Sequence, residues 1–380
     1  MKILLTGGGT GGHFYPIIAI AHELNEIAKE NRLLRPDMYY ASTTSYNNSL
    51  LYDNNISFVG VMSGKIRRQM SVQNIILNFL DLFKIGMGMI LAVWKLFVIY
   101  PDVVFGKGGY ASFPALFAAK LLRIPVIIHE SDSLPGKVNR WAGKFAVKIA
   151  TSYPEASSFF PKEKTAYTGN PIRKEIEGPF TRSNDTYEIL HLNPKLKTIL
   201  ILGGSQGAKF INEVVMDALP ELVLKYQIIH QTGAKHIKVI KETRDVVLLN
   251  NPNKDRYKPF DYLNSFNMRM AAGVTDLVIS RAGSTVFEIA SWGKASIIIP
   301  IPEATSHDQK SNAYSYARTG AAEVIEEHNL VSHVFVSEIN RIMDNDEERE
   351  KMAQFALAFS RKDAARLIAQ EIMVTAIEHK

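Results

Sequence analysis

Five glycines fall within six residues near the start of the chain, between a short apolar run and a histidine. The stretch reads GGGTGGHFYP from Gly7 and follows Ile3–Leu5. Glycine lets the backbone turn sharply and approach a ligand without a Cβ in the way. A helix that begins there presents unpaired N–H groups to an anion. The stretch is predicted to bind phosphate or sugar, although glycine at such a turn can also serve packing alone.

The same glycines raise the alternative of a nicotinamide oxidoreductase. Gly7, Gly9 and Gly12 satisfy the pattern G-x-G-x-x-G. A dinucleotide site also needs an acidic residue about 20 residues further on, at the end of the second strand, to hold the ribose hydroxyls. That stretch reads MYYASTTSYN and offers Ser42 and Thr43 but no carboxylate. The missing carboxylate argues against an oxidoreductase.

His13 follows the glycines directly and is a candidate general base. At a helix start the dipole disfavours the imidazolium, so the pKa of the ring should be lowered. A neutral imidazole near a bound substrate can accept a proton. The alternative is a hydrogen-bonded structural histidine.

Composition narrows the classes of protein. A chain of 380 residues suits two domains, and 46% hydrophobic with 22% charged residues is typical of a globular protein. The absence of cysteine excludes disulfides and thiolate metal sites. The first residues are strand-like, so no secretory signal is expected. No Asp-x-Asp metal motif and no basic–aromatic platform is evident, so we predict no obligatory metal, no cofactor and no nucleic-acid partner.

Short apolar runs alternate with helix-like stretches, which predicts parallel sheets covered by helices on both faces. The expected strands are Lys2–Thr6, Met38–Ala41, Val103–Phe105, Val126–His129, Lys148–Ala150, Thr198–Leu202, Gln227–Gln231, Leu277–Ser280 and Ala295–Pro300. The expected helices include Pro16–Glu30, Ala111–Leu122 and Glu347–Ala376. A polar stretch precedes the strand at Thr198, and GGSQGAKFINEVV then repeats the order strand, glycine loop, helix. Two similar domains facing a cleft are therefore predicted, with ligands beyond the carboxyl ends of the strands.

Residues 79–100 read FLDLFKIGMGMILAVWKLFVIY and raise the question of a membrane. A spanning helix needs about 20 predominantly apolar residues, and three charged residues interrupt this one. We therefore expect a helix that is partly core and partly interfacial, with a wholly buried helix as the alternative. Basic side chains would pair with anionic lipid. The predicted membrane residues are Phe79, Phe83, Met87, Trp94, Lys65, Arg67 and Arg68. Residues 1–170 carry 18 Lys and Arg against 11 Asp and Glu, which suits an anionic partner or simply solubility.

Several stretches in a fixed order resemble the MurG family of bacterial peptidoglycan N-acetylglucosaminyltransferases. They are GGGTGGHFYP, SGKIRR, GKGGYASFPALFAAKLLRIPVIIHESDSLPGKVNRW, GNPIR, ILGGSQGAKFIN and ISRAGSTVFEIASWGKASIIIPIP. The resemblance covers residues 1 to about 330. It implies the GT-B fold, an α/β architecture of two Rossmann-like, doubly wound parallel-sheet domains facing an interdomain cleft. The expected divisions are residues 1–170, residues 171–345 and a helical segment 346–380 that packs back on the first domain.

The resemblance also implies a reaction. N-acetylglucosamine would pass with inversion from UDP-N-acetylglucosamine to the 4-hydroxyl of the muramoyl sugar of lipid I, giving lipid II. The enzyme would be peripheral, at the cytoplasmic face of the cell membrane and against its anionic surface.

Site residues follow from the resemblance position by position. His13 matches a histidine proposed as base, and Glu288 a glutamate that accepts hydrogen bonds from the ribose diol. The donor contacts implied are Thr10, Gly11, Gly12, Arg173, Ser205, Glu288 and Gln309. Further positions implied near the donor are Asp132, Gly204, Gln206, Arg281, Gly283 and Ser284. A backbone contact to uracil is implied within residues 260–266.

Two departures from the family pattern stand out. Asp132 occupies the position where the family often has asparagine, and the loop from Arg281 to Glu288 is one residue shorter than usual. Other functions remain open at this point: a UDP-N-acetylglucosamine 2-epimerase or a non-catalytic membrane-docking protein.

Overall fold

The computed structural model describes residues 1–8, 10–64, 72–204, 207–302 and 307–379. Five residues with predicted contacts lie outside this part, namely Lys65, Arg67, Arg68, Ser205 and Gln206. The chain divides into two compact units. Met1–Arg173 and Arg361–Lys380 form the first, and Lys174–Ser360 form the second.

A parallel seven-stranded sheet forms the centre of the first unit, in the order β3-β2-β1-β4-β5-β6-β7. Its strands are β1 (Lys2–Thr6), β2 (Asp37–Ser42), β3 (Ile56–Gly60), β4 (Val103–Gly106), β5 (Val126–Glu130), β6 (Lys148–Thr151) and β7 (Thr165–Tyr167). The helices of this part are α1 (Gly11–Glu30), α2 (Asn48–Asp53), α3 (Val72–Ile99), α4 (Phe113–Leu121) and α5 (Lys137–Ala142).

The central strand β1 shows why the sheet must be covered on both faces. Ile3 and Leu5 pack with α1, and Leu4 packs on the opposite face with α3 and α4. All three side chains are fully buried. Successive side chains of a strand point to opposite faces, so a strand covered on both sides reads as a continuous apolar run.

The second unit repeats the design with six parallel strands in the order β10-β9-β8-β11-β12-β13. Its strands are β8 (Thr198–Leu202), β9 (Gln227–Gln231), β10 (Tyr257–Phe260), β11 (Leu277–Ser280), β12 (Ala295–Ile298) and β13 (Ala322–Val324). Its helices are α6 (Asn184–Ile189), α7 (Lys209–Lys225), α8 (Ile237–Val247), α9 (Ser265–Val274), α10 (Thr285–Trp292), α11 (His307–Ala317), α12 (Ser332–Met343) and α13 (Asp346–Phe359).

The C-terminal segment is divided between the units instead of acting as one piece. Helix α13 belongs to the second unit, where Met352 and Ala356 enter the apolar core. The last helix, α14 (Ala364–Glu378), packs on α1 in the first unit. Arg366 there pairs with Glu30. The predicted segment 346–380 therefore splits near Ser360, because α13 has its own apolar contacts with the second sheet.

Candidate functional site

The first candidate site lies at the switch point of the first sheet, beyond the carboxyl ends of β1 and β4. These strands are neighbours, but α1 leaves β1 toward one face and α4 leaves β4 toward the other. The chain therefore leaves the two strands toward opposite faces, and in open α/β sheets such a switch point forms the ligand crevice. The loop after β1, called the glycine loop below, contributes Gly7, Gly8 and Thr10, and the loop after β4 contributes Lys107–Gly109.

Thr10 and His13 form the start of α1. Thr10 is the N-cap residue, in extended conformation, and its Oγ1 lies 3.2 Å from His13 Nδ1. When Nδ1–H donates to that hydroxyl, Nε2 carries the lone pair needed by a base. His13 as a residue is partly exposed, yet burial of its ring and, to a smaller extent, the charge of Lys107 lower its pKa to about 4. His13 is therefore neutral at physiological pH.

Gly109 borders the His13 ring and adopts a backbone conformation with φ 80° and ψ 161°. This region is essentially restricted to glycine. A Cβ at this position would lie 3.0 Å from the Gly8 carbonyl oxygen and 3.4 Å from His13 Cε1. The residue therefore allows the second loop to touch both the glycine loop and the candidate base.

Replacing Gly109 with alanine should lower the free energy of unfolding by about 1–3 kcal/mol, the usual cost of such strain. Turnover should also fall, because the new methyl group presses on the Gly8 carbonyl oxygen and shifts the loop beside His13. Chemical denaturation and steady-state kinetics measure the two effects. Gly136→Ala is the matched control, since φ there is −65° and no described atom lies within 4 Å of an added Cβ. Equal stability of both variants and wild type would contradict the strained geometry.

A buried polar cluster lies beneath the glycine loop, and the sequence analysis missed it. Lys107 Nζ lies 2.8 Å from His129 Nδ1 and donates to Asn170 Oδ1 at 3.2 Å. Both partners are buried, as is Lys107 itself. The signal available in the sequence was a polar residue directly after an apolar strand. Burial could not be inferred from it, because lysine is almost never fully buried unless it is paired.

Glu130 organises the loop after β5. Its carboxylate accepts hydrogen bonds from the backbone N–H groups of Asp132 and Gly136, at 2.9 and 3.0 Å, and from Asn139 Nδ2 at 2.9 Å. Burial raises the pKa of Glu130 to about 7. Asp132, an expected donor contact, is thus held by its backbone N–H in the loop after β5.

Arg173 lies in the first unit, in the segment after β7. Its guanidinium carbon is 4.1 Å from the centre of the Tyr15 ring in α1. Guanidinium groups stack well on aromatic faces. The structure therefore brings Arg173 to the first turns of the helix that carries Thr10, Gly11, Gly12 and His13.

The second candidate site lies at the switch point of the second sheet, beyond β8 and β11. Gly204 follows β8, and Gly283 and Ser284 lead into α10. Glu288 lies near the start of that helix and is half-buried. Gly204, Gly283 and Ser284 thus lie at the carboxyl ends of two central strands, and Glu288 follows in the first turn of α10.

Arg281 is held by groups of its own unit. Its guanidinium donates to the carbonyl oxygens of Ile299 and Pro300, both at 3.3 Å, and forms an ion pair with Glu327 at 2.5 Å. These contacts fasten the segment after β12 to the loop after β11. We propose that Arg281 supports the site through this segment instead of contacting the donor.

Gln309 lies at the start of α11. Its Oε1 accepts a hydrogen bond from the Ile301 N–H at 3.3 Å. The bond uses the carbonyl oxygen of the side chain, so the amide NH₂ is the group available for a sugar hydroxyl.

Helix α3 presents an apolar surface to solvent. The predicted membrane residues Phe79, Phe83, Met87 and Trp94 are 74%, 70%, 44% and 62% exposed, which contradicts a wholly buried helix. An open groove of about 790 Å³ runs between α3 and α4. The helical segment Asn74–Ile99 is long and apolar enough to cross a membrane, by length and composition alone, although it contains charged residues.

One side of α3 is nevertheless part of the first unit. Ala92 and Leu96 are fully buried in its core, and Asp81 is 6% exposed. Lys95 Nζ donates to the Gly60 carbonyl oxygen at 2.5 Å. A helix with one packed side and one exposed apolar side fits an interface better than a bilayer interior.

Metal ligands do not cluster in the part of the chain that the structure describes. No group of three or more histidine, aspartate or glutamate side chains is placed to hold an ion there.

Comparison with known proteins identifies the class. Residues 3–151 match the glycosyltransferase family 28 N-terminal domain, and residues 198–368 match the glycosyltransferase family 28 C-terminal domain. The two sheets and these matches define a GT-B glycosyltransferase. A UDP-N-acetylglucosamine 2-epimerase from Neisseria meningitidis, solved with UDP-N-acetylglucosamine, shares the fold at a TM-score of 0.66 and 15% identity, covering 98% of this chain and 100% of that chain.

Relatives in bacteria narrow the class to a family. Two of them are named UDP-N-acetylglucosamine–N-acetylmuramyl-(pentapeptide) pyrophosphoryl-undecaprenol N-acetylglucosamine transferase. The Bacillus cereus protein is 35% identical over 98% of this chain and 99% of its own length, and the Halothermothrix orenii protein 38% over 93% of each. The crystal structure of Acinetobacter baumannii MurG superposes with a TM-score of 0.73 at 27% identity, covering 98% and 99%. This chain belongs to the MurG family.

Proposed function

We propose that this protein transfers N-acetylglucosamine from UDP-N-acetylglucosamine to the 4-hydroxyl of the muramoyl sugar of lipid I, giving lipid II. Similarity to the named transferases over nearly the full chain carries the proposal. Each unit also offers a suitable crevice, with His13 in the first and Glu288 in the second.

The first unit supplies the acceptor side of the proposed reaction. The 4-hydroxyl oxygen bonds to the anomeric carbon of the donor sugar while the bond from that carbon to the diphosphate breaks. His13 Nε2 accepts the hydroxyl proton, and UDP leaves. A base with a pKa of about 4 is fully deprotonated at neutral pH, although it binds the proton weakly. It therefore helps most when the hydroxyl has already begun to bond and has become acidic.

The second unit supplies the donor side. The Glu288 carboxylate accepts hydrogen bonds from both ribose hydroxyls, and the Gln309 amide binds the transferred sugar. N–H groups near Gly204, Gly283 and Ser284 face the diphosphate and stabilise its developing charge. Arg173, which belongs to the first unit, keeps the donor contact that the resemblance implies, a charge-assisted bond. For Ser205 and Gln206 we propose the donor contacts that the resemblance implies.

A donor screen tests the function. UDP release is measured with UDP-N-acetylglucosamine and a lipid I analogue, and the product is identified by mass. The expected result is UDP release that requires the acceptor and matches formation of the disaccharide product. Donor epimerised at C2 without acceptor would favour the epimerase, which the shared fold makes the second candidate. Binding to liposomes with no UDP release would indicate a docking protein.

We also propose that the exposed side of α3 rests on the cytoplasmic surface of the cell membrane. The acceptor is lipid-linked, so the enzyme must meet it at a bilayer surface. Exposed aromatic side chains of α3 would enter the headgroup boundary, while the buried side keeps the helix attached to the first unit. Lys65, Arg67 and Arg68 would add attraction to anionic lipid.

Replacing Phe83 and Trp94 together with serine should lower association with anionic liposomes several-fold, because two large apolar side chains no longer enter the interface. Flotation or sedimentation with vesicles measures the fraction of protein bound. Tyr52→Ser with Leu249→Ser is the matched control, since both residues are also highly exposed, at 83% and 71%, but neither belongs to α3. If wild type and both variants associated equally with liposomes, the exposed side of α3 would have no role in membrane binding.

A further inference from the structure

Lys107 is a lysine with only 1% of its surface exposed. It lies directly after β4, and its backbone N–H donates to the Thr6 carbonyl oxygen at 2.8 Å. Gly7 passes so close that a Cβ there would lie 3.0 Å from Lys107 Cβ. The lysine therefore sits immediately beneath the glycine loop, where burying a charge is costly unless the charge is paired.

The ammonium group fixes the state of His129. An ammonium can only donate, so His129 Nδ1, at 2.8 Å, must accept. The proton of this imidazole then lies on Nε2, which is 3.0 Å from the Gly169 carbonyl oxygen and can donate to it. Lys107 also donates to Asn170 Oδ1 at 3.2 Å. One side chain thereby joins the loop after β4, strand β5 and the segment after β7.

That segment continues directly into Arg173. Arg173 follows Asn170 by three positions, and its guanidinium stacks on Tyr15 of α1. Lys107 and His129 hold the beginning of this segment in place. The position of Arg173 over the start of α1 therefore depends on them.

The charged and titratable groups around Lys107 come from three elements. His13 approaches it from α1, since a Cβ on Gly7 would lie 3.0 Å from Lys107 Cβ and 3.7 Å from His13 Cβ. His129 and Glu130 come from β5, and Asp132 comes from the loop that follows. Burial lowers the pKa of Lys107 to about 7, against the opposing effect of Glu130 and Asp132. Below that pH Lys107 is cationic, so it is charged throughout the range in which His13, with a pKa of about 4, takes up a proton.

We propose that Lys107 is a positioning residue for the transfer reaction, acting on His13 through its charge and on Arg173 through His129 and Asn170. The proposal rests on the proposed function, because only the transfer gives His13 and Arg173 a task. Lys107 itself touches neither substrate.

The direct test is an NMR titration of the His13 ring in wild type, Lys107→Met and Lys107→Arg. Removing the cation removes a repulsion on the imidazolium, so the pKa of His13 should rise in Lys107→Met by at least about half a unit, roughly a threefold change in proton affinity. The pKa of His13 should still lie below its ordinary value in Lys107→Met, because burial is the larger cause of its lowering. Lys107→Arg should keep the low value. Lys144→Met, at an exposed lysine of the same unit, is the matched control.

An unchanged pKa of His13 in a folded Lys107→Met protein would overturn the proposal. A wild-type pKa near 6.5 would overturn it as well, whether or not any variant folds. In kinetics, the acid limb of the profile of kcat/KM against pH should move to higher pH in Lys107→Met and stay in place in Lys107→Arg. A wild-type protein that transfers no sugar would refute the proposed function, whereas the coupling of Lys107 to His13 is judged by the titration alone.

Discussion

Replacing His13 with alanine should reduce turnover by about 10²–10⁴-fold, the usual contribution of a general base, and leave donor affinity nearly unchanged. The ring lies at the first turn of α1, where its neutral form persists to a pH of about 4. The acceptor hydroxyl would lose its proton acceptor, while the donor contacts of the second unit stay in place. Steady-state kinetics and a separate UDP titration measure the two effects.

The matched control for this variant is His22→Ala, at a partly buried histidine further along the same helix. It should keep near wild-type turnover. If His13→Ala turned over substrate as fast as the control, the histidine would be structural and the proton would have to go elsewhere.

Replacing Glu288 with alanine should weaken UDP binding by about 1–3 kcal/mol, the cost of leaving hydrogen-bonding partners unsatisfied. This corresponds to roughly a 5- to 150-fold increase in Kd. An ionised carboxylate can accept from both ribose hydroxyls at once, so Glu288→Gln should fall between alanine and wild type. Calorimetric titration with UDP measures the change.

Glu221→Gln, at an exposed position of α7, is the control that removes a charge from the same unit. Its Kd for UDP should match that of wild type. A Glu288→Ala protein that binds UDP as tightly as the control would remove the glutamate from the donor site.

The buried strands could be read from the sequence because each is covered on both faces. The bounds of β1, β8, β9 and β11 agree with the sequence prediction residue by residue. The outer strands β3, β7, β10 and β13 were not predicted. They are short and only partly buried, as in β7, where no residue is fully buried. A strand that lacks a continuous apolar run does not stand out from a loop.

The start of α1 was placed too late. The sequence suggested Pro16–Glu30, whereas the helix begins at Gly11 and contains Pro16. Glycine and proline both disfavour helix interiors, so local propensity pointed to a loop. Packing of Phe14 and Ile17 against the sheet outweighs that propensity. As a result, His13 belongs to the helix itself and not to the loop before it.

The candidate site was predictable where it depends on motifs and not where it depends on burial. The sequence led to His13, Arg173 and Glu288 through the resemblance to a family. It gave no reason to single out Lys107 or Glu130. Their importance comes from burial at the ends of two adjacent strands, which the sequence alone does not reveal. Arg281, which the resemblance implies near the donor, also pairs with Glu327 and donates to two carbonyl groups, contacts that no motif predicts.

The most direct test of the central claim is a crystal structure of the protein with UDP-N-acetylglucosamine. We expect the uridine in the second unit, with both ribose hydroxyls within hydrogen-bond distance of the Glu288 carboxylate. We expect no uridine at the glycine loop of the first unit, where the resemblance implies contacts near the transferred sugar and the acceptor. Uridine bound at Gly7–Gly12 instead would contradict the assignment of donor and acceptor sides to the two units.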